Sequence, residues 1–189
     1  MPHIPFPENT PGILGPMKFS PQTAAPMNAL ANALLQTDDG LSRGERELIA
    51  TYVSSLNDCF FCQTIHGTVA SAHLGDEDGS FVKAVKCNYG ETDLSPKMKA
   101  LLAIAGSVQK GGKNVTAAQV EAAKDQGATD KDIHDTVLIA AAFCMFNRYV
   151  DGLATVAPDN PEVYRFRALN VVKNGYSAEG QYPPAPTIS

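Results

Sequence analysis

Apolar residues recur every three or four positions along most of this chain, the spacing of helices that bury one face. The clearest example follows Ser42-x-x-Glu45, a capping-box signature, and its apolar positions are Leu48, Ile49, Tyr52, Val53 and Leu56. No segment alternates apolar and polar residues as a half-buried strand does. The pattern therefore predicts an all-α fold, a helical bundle.

Caps, prolines and glycines mark where the helices begin and end. Ser95-Pro96 and Thr116-x-x-Gln119 are start signals, and Gly111-Gly112 and Gly127 are stop signals. The predicted helices cover approximately residues 27–36, 43–56, 59–74, 96–110, 117–126, 131–155 and 161–173, with a loop and a short helix between 76 and 94. The length fits one hydrophobic core, so residues 1–189 are predicted to form a single domain.

The two ends of the chain are rich in proline. Residues 1–26 hold seven of the 13 prolines and are predicted to be an arm that cannot be helical, either loose or lying on the body or on a neighbouring subunit. Residues 175–189 are predicted to be an extended or disordered tail. Tyr164, Phe166 and Tyr176, near this end, are interpreted as packing residues.

The composition and charge of the chain argue against some classes of function. Hydrophobic residues make up 44% of the chain, charged residues 19%, and the net charge is −5 without any lysine–arginine cluster, which argues against nucleic-acid binding. The start of the chain lacks the pattern of a secretion signal, and the longest nearly apolar run, residues 137–146, is too short to span a bilayer. We therefore expect a cytoplasmic protein in a reducing compartment, where paired cysteines serve catalysis or metal binding.

Four residues form the candidate chemistry. Cys59, Cys62 and His66 stand at i, i+3 and i+7, so they share one face of a helix, and Glu47 stands twelve residues before Cys59. Asp58 is predicted to cap that helix, which places Cys59 in the first turn, where the helix end favours a thiolate. A helical hairpin would fold Glu47 back against the thiols.

This layout suits peroxide chemistry. A thiolate attacks a peroxide to give a sulfenic acid, and a second thiol resolves it to a disulfide. Positions i and i+3 of a helix hold Cα atoms about 5 to 6 Å apart, within disulfide range. His66 can take the proton of Cys62, and Glu47 can orient the imidazole.

At these residues the sequence resembles a known family. The pattern E-x11-C-x-x-C-x3-H, with RELIATYVSSLNDCFFCQTIHGTVA around it and FNRYVDGL later, resembles the alkyl hydroperoxidase D-like group of the carboxymuconolactone decarboxylase superfamily, in its peroxidase-related branch. The resemblance covers roughly residues 40–155. It implies an all-helical homo-oligomer, from trimer to hexamer, that reduces a peroxide at the expense of a dithiol or protein reductant.

The resemblance also implies roles for the four residues. Cys62 would attack the peroxide, Cys59 would be the more exposed thiol that exchanges with the reductant, and Glu47 and His66 would relay protons. The helix-end argument instead favours Cys59 as the more acidic thiol; we follow the resemblance, because the imidazole and the carboxylate lie nearer Cys62. Phe61 stands where the family often has a histidine. Phe60 and Phe61 together make the mouth of the site more apolar, which favours an organic hydroperoxide over hydrogen peroxide.

The chain also matches itself with an offset of 85 residues. Cys144 falls on Cys59, and the other three site residues, Glu47, Cys62 and His66, are replaced by Asp132, Asn147 and Asp151. One interpretation is a duplicated helical hairpin whose second copy is degenerate. The other is a chance match between two amphipathic helices.

Several alternatives stay open. Zinc can bind the two cysteines and His66, with Cys87, Cys144 or His73 as a fourth ligand, although none follows a ligand spacing. The protein can also be a decarboxylase or lyase of the superfamily, or a redox sensor or thiol–disulfide module. Cys87 and Cys144 are otherwise predicted to be lone buried thiols. No phosphate loop or dinucleotide fingerprint indicates a cofactor.

Overall fold

Helices form the secondary structure of residues 1–176, the part of the chain that this computed structural model describes. Within those residues lie nine α-helices: α1 (Leu14–Phe19), α2 (Pro21–Leu35), α3 (Arg43–Leu56), α4 (Phe60–Leu74), α5 (Ser80–Asn88), α6 (Pro96–Lys110), α7 (Ala117–Asp125), α8 (Asp130–Gly152) and α9 (Pro161–Asn174). Short 3₁₀ turns follow α5 and α6. The prediction of an all-α fold is confirmed. The predicted tail lies outside the described residues from position 177 onward.

Three of the predicted start signals, at Ser42, Ser95 and Thr116, are the observed ones. Ser42 and Glu45 form a reciprocal capping box at the start of α3, and Thr116 and Gln119 form another at α7. The Ser95 side chain accepts the third backbone N–H of α6, which begins with proline. Each pair satisfies backbone N–H groups that have no partner within the helix, so these ends are set by local sequence.

The prediction that residues 1–26 contain no helix is wrong. Helix α1 lies within this segment, and α2 begins at Pro21. Pro16 is the third residue of α1 and Pro21 the first of α2, positions whose backbone N–H has no helical partner in any case. Only Pro26 lies deeper in a helix, where it leaves the carbonyl of Gln22 without its usual donor. Prolines at helix starts therefore support these helices.

Helix α3 lies at the centre of the bundle, where it packs against α4, α6 and α8. The short turn between α3 and α4 makes them an antiparallel hairpin, with the largest interface in the described structure. Glycines allow the close approach: a Cβ on Gly44 would lie 2.7 Å from the side chain of Leu74, and Gly67 faces Thr51. Because α3 is surrounded, two of its charged residues, Arg46 and Glu47, are buried.

Arg46 is the larger of these buried charged residues. Its guanidinium donates to the carbonyl oxygens of Leu34 (3.0 Å) and Leu41 (2.8 Å) and to Asp135 of α8 (2.7 Å). These bonds satisfy the buried charge and join the start of α3 to α2 and α8. Although burial raises the pKa of Asp135, hydrogen bonds from Lys131, His134 and Arg46 outweigh it and lower that pKa to about 2.

Helix α8 corrects the prediction of a second hairpin. Its 23 residues run without interruption from Asp130 to Gly152, whereas the matching first segment turns between α3 and α4. The aligned residues therefore share a helical pattern but not a hairpin at this point. Of the helices in residues 1–176, none combines the length and the apolar character needed to cross a bilayer.

Candidate active site

The turn between α3 and α4 sets the position of Cys59. Asp58 adopts a left-handed conformation, with φ of 56°, and the backbone N–H of Cys59 donates to the Ser54 carbonyl at 3.0 Å. Cys59, rather than Asp58, is then the N-cap of α4, and Cys62 lies in its first turn. The predicted helix start is therefore one residue too early, because Asp58 closes α3 instead of opening α4.

A polar network holds this turn against α6 and α8. Asn57 donates to the side-chain oxygen of Asn147 at 2.8 Å and accepts from Gln109 at 2.9 Å. Asn147 in turn donates to Ser54 at 3.0 Å. Asn147 is the residue that aligns with Cys62 in the internal match, and it supports the backbone that positions Cys59.

Cys59 and Cys62 are both free cysteines, and both are buried. The hydrogen bond between Cys59 and Cys62, together with burial and the negative charge of a Cys62 thiolate, raises the pKa of Cys59. The helix-end argument favours Cys59 as the more acidic thiol, and the neighbouring Cys62 and burial both act against it.

Burial also corrects the expectation that Cys59 is the more exposed thiol. Cys59 is 0% exposed and Cys62 3% exposed. Helix α9 packs on α4, and its Tyr164 makes ring contacts with Phe60 and Phe61 on either side. Burial and the negative charge of Asp159 raise the pKa of Tyr164 to about 12, so this ring packs beside Phe60 and Phe61 as a neutral phenol.

Glu47 and His66 meet across the hairpin. The Glu47 carboxylate is completely buried, and its Oε2 lies 2.8 Å from Nδ1 of His66. His66 stands one turn after Cys62 on α4, and both side chains line one small cavity. The structure thus joins Glu47 to His66 and places His66 beside the same cavity as Cys62, whereas Cys59 does not line that cavity.

A fifth residue, Tyr176, joins them. Its hydroxyl donates to Oε1 of Glu47 at 2.7 Å and lies 3.1 Å from Nδ1 of His66. The ring stacks on the imidazole with centroids 5.7 Å apart. From the sequence, Tyr176 is expected only to pack against other residues. No sequence spacing links it to His66, which lies 110 residues earlier.

The cavity beside Cys62 has a volume of about 30 Å³. Ile13 and Met17 of the N-terminal segment close one side of it, and Phe61, Phe143 and Phe146 line the interior. Gly12 packs so tightly on the Phe61 ring that no Cβ fits there. The segment predicted to be an arm is therefore part of the site wall in this chain.

The remaining cysteines and acidic residues lie apart from this cavity. Cys144 is buried as predicted, but Cys87 is exposed, because it lies on the outer face of the short helix α5. Asp151 shares a hydrogen bond with the Cys59 thiol, and burial raises its pKa. In the described part of the chain, no three His, Cys, Asp or Glu side chains are arranged to hold a metal ion.

The chain is similar to proteins of known structure. An alkylhydroperoxidase AhpD core, an uncharacterized peroxidase-related protein from Ralstonia eutropha, shares 29% identity with a TM-score of 0.73, over 82% of this chain and 81% of that one. An uncharacterized peroxidase-related protein from a Silicibacter species shares 27% identity with a TM-score of 0.71, over 79% of this chain and 77% of that one. A protein of unknown function from Agrobacterium tumefaciens, at 20% identity, has the same fold, with a TM-score of 0.66 over 79% of this chain and 99% of that one.

No curated protein matches the chain. Residues 21–78 and 83–157 match the model of one family, and together they make up more than half of the sequence. The chain belongs to the carboxymuconolactone decarboxylase family.

Proposed function

We propose that this protein is a dithiol peroxidase that reduces hydroperoxides by cycling Cys59 and Cys62 between thiols and a disulfide. One observation carries the proposal: the Glu47 carboxylate is buried and bonded to His66, and His66 and Cys62 line one cavity. The similarity to peroxidase-related proteins supports it. Glu47, His66 and the two cysteines are the residues of the reaction.

The hydrogen bonds favour one tautomer of His66. The Glu47 carboxylate accepts, so Nδ1 carries the proton and Nε2 is left as the base. His66 then takes the proton of Cys62, and the Glu47 carboxylate stabilises the imidazolium that forms. His66 on α4 is thus the base, and Glu47 on α3 orients it.

The cycle balances in three steps. The Cys62 thiolate attacks one peroxide oxygen, the O–O bond breaks, and the departing oxygen receives the proton from His66, which gives an alcohol or water and a Cys62 sulfenic acid. The Cys59 thiol then attacks that sulfur, a disulfide forms and water leaves. Finally an external dithiol reduces the disulfide by exchange at Cys59 and is itself oxidised to a disulfide.

The cavity favours a small substrate. A volume of about 30 Å³ holds one water-sized molecule, which suits hydrogen peroxide. The apolar lining suits an organic hydroperoxide, as the two phenylalanines predicted, but a molecule of that size needs Ile13 and Met17 to move away. We therefore expect hydrogen peroxide to react faster than a bulky alkyl hydroperoxide.

The reductant and the assembly are also part of the proposal. Cys59 is fully buried, so a dithiol or a protein reductant reaches it only when the side chains packed around it move. We propose a cytoplasmic location, and the family resemblance suggests a homo-oligomer, from trimer to hexamer.

Single cysteine variants test the proposal. We expect hydrogen peroxide to drive oxidation of dithiothreitol by the native protein but not by Cys62→Ser or Cys59→Ser. Dimedone should trap a sulfenic acid on Cys62 in Cys59→Ser, where no partner thiol resolves it. Cys144→Ser is the matched control, a buried thiol outside the pair, and should retain turnover. A native protein that neither turns over peroxide nor forms a trapped sulfenic acid in Cys59→Ser excludes a peroxidase.

The burial of Cys59 supports a second candidate, a redox sensor or thiol–disulfide module. Such a protein would form the Cys59–Cys62 disulfide with peroxide once and regain its thiols too slowly for turnover. Disulfide formation in the absence of steady-state dithiol oxidation would favour it. Metal analysis of protein purified without chelator tests the zinc alternative, for which stoichiometric zinc is the positive result.

A further inference from the structure

The residue that completes the proposed relay comes from outside the family match, which ends at residue 157. We propose that Tyr176 is a positioning residue for the reaction: its hydroxyl holds the Glu47 carboxylate and the His66 ring in the arrangement that leaves Nε2 of His66 free to take the proton of Cys62. This inference rests on the relay in the proposed function. It concerns the thiol reactivity that the relay produces, which is measurable without a peroxide.

The hydrogen-bond geometry carries the inference. Tyr176 donates to Oε1 of Glu47 at 2.7 Å, while Oε2 of the same carboxylate accepts from Nδ1 of His66 at 2.8 Å. The tyrosine oxygen, 3.1 Å from the same Nδ1, is a second acceptor for that N–H. The three groups form a closed ring in which each hydrogen bond agrees with one tautomer of His66. A neutral donor also stabilises a carboxylate that is removed from water.

Aromatic contacts fix the plane of the imidazole. The Tyr176 ring stacks on His66 with an interplanar angle of 28°, and Phe143 approaches its edge, with centroids 4.6 Å apart. These two contacts restrict rotation of the imidazole, and the hydroxyl selects which nitrogen faces Glu47. Simple packing would need the ring of Tyr176 but not its hydroxyl.

The backbone conformation at Gly175 directs Tyr176 towards Glu47 and His66. Gly175 follows α9 with φ of 70° and ψ of −162°, a conformation that essentially only glycine adopts. The next N–H, that of Tyr176, donates to the side chain of Asn32 on α2 at 3.0 Å. A Cβ on Gly175 would collide with the same Asn32 oxygen. Helix α2 and the glycine together turn the chain back into the bundle.

The test removes the hydroxyl and keeps the ring. Tyr176→Phe is compared with Tyr164→Phe, which deletes another buried hydroxyl, bonded at 2.8 Å to the Pro158 carbonyl and not to the relay. In reduced protein, the rate at which iodoacetamide alkylates Cys62 is followed by mass spectrometry of its peptide. We expect at least about a tenfold loss of rate in Tyr176→Phe, since the base loses its alignment, and little change in Tyr164→Phe.

The direction of the change separates positioning from packing. Cys62 is 3% exposed, so a variant that merely loosens the site should alkylate faster. A slower reaction in a folded variant indicates a less effective base. Gly175→Ala, which displaces Tyr176 without altering its chemistry, should show the same loss and carries the test if Tyr176→Phe does not fold. The proposal is overturned if both folded variants alkylate at or above the native rate.

This measurement also distinguishes the two proposals. A native protein that ignores peroxides, yet loses Cys62 reactivity in Tyr176→Phe, contradicts the peroxidase function and supports the positioning role. An active peroxidase whose Cys62 reactivity and turnover are unchanged in Tyr176→Phe contradicts only the positioning role.

Discussion

The substitution Glu47→Gln separates the reactivity of the site from the stability of the fold. Glu47 is completely buried, and its two oxygens accept one hydrogen bond each, from Tyr176 and from His66. Glutamine keeps the shape of the side chain and removes its charge. Burial of the carboxylate lowers the free energy of unfolding, and the main effect of its charge is to stabilise a protonated His66 imidazole.

The magnitude follows from those two hydrogen bonds. A hydrogen bond to a charged acceptor contributes about 1.5 to 3 kcal/mol, and one between neutral groups about 0.5 to 1.5 kcal/mol. The loss is thus about 1 kcal/mol for each bond and about 2 kcal/mol in total, which corresponds to roughly a 30-fold lower rate. For folding, relief of the desolvation cost offsets this loss, so we expect the free energy of unfolding to change by no more than about 1 kcal/mol.

Asp132→Asn is the matched control. Asp132 aligns with Glu47 in the internal match and is also buried, but its carboxylate accepts from the backbone N–H of Thr129 at 3.0 Å in the capping box of α8. Its negative charge at a helix start contributes up to about 1 kcal/mol, so Asp132→Asn should be less stable by about that amount. Its Cys62 should react as in the native protein.

Two measurements decide the outcome: urea unfolding followed by circular dichroism, and the rate of Cys62 alkylation in the folded state. Glu47→Gln should change the rate and Asp132→Asn the stability. The reasoning is refuted if Glu47→Gln retains the native rate, or if it loses several kcal/mol of stability, because Glu47 would then be a structural residue like Asp132.

Three further predictions concern the surroundings of the site. The pKa of Asp135 in the folded state, about 2, lies below the ordinary value of 3.8, so the ionised carboxylate contributes about 2 kcal/mol to the free energy of unfolding at neutral pH. This contribution is lost as the pH falls from about 4 to 2. In urea unfolding, the stability of Asp135→Asn should therefore differ most from that of the native protein at neutral pH and approach it near pH 2. Met17→Ala enlarges the cavity, so the rate of cumene hydroperoxide relative to hydrogen peroxide should rise in stopped-flow oxidation, and an unchanged ratio would exclude Met17 as the size limit. Gly12→Ala introduces a Cβ into the Phe61 ring at a φ of 55°, so thermal unfolding should show a loss of about 1 to 3 kcal/mol, and iodoacetamide should reach Cys62 faster; slower alkylation would contradict the role of this segment as a site wall.

The central helices were predictable because their signals are local. The capping pairs Ser42–Glu45 and Thr116–Gln119 stand three residues apart, and apolar residues at helical spacing identify the buried faces between them. The proximity of Glu47 to His66 also followed, since a hairpin with a short turn leaves the two helices one way to pack. The sequence therefore predicted that the four candidate residues, Glu47, Cys59, Cys62 and His66, lie on a helical hairpin.

The errors arose where one residue type serves two purposes. Proline was interpreted as a helix breaker throughout residues 1–26, although Pro16 and Pro21 occupy the first turns of helices, where proline is favoured. Asp58 was interpreted as a helix cap, although its left-handed conformation ends the turn and gives the cap position to Cys59. Local composition does not separate these uses, because the backbone conformation decides them.

Tyr176 shows what remains beyond the reach of spacing arguments. Its contacts with Glu47 and His66 join residues 129 and 110 positions apart, and they depend on the direction in which the chain leaves α9. Gly175 allows the chain to change direction after α9, but nothing in the sequence indicates where the following residues pack. The position where Tyr176 packs is determined by Asn32, on the part of α2 that was predicted to be helical, but the contact between Asn32 and Tyr176 has no local sequence signal. A buried carboxylate such as Glu47 needs a donor for each oxygen, and His66 supplies only one. Tyr176 supplies the second donor, and the need for it is visible only once the structure shows that Glu47 is buried.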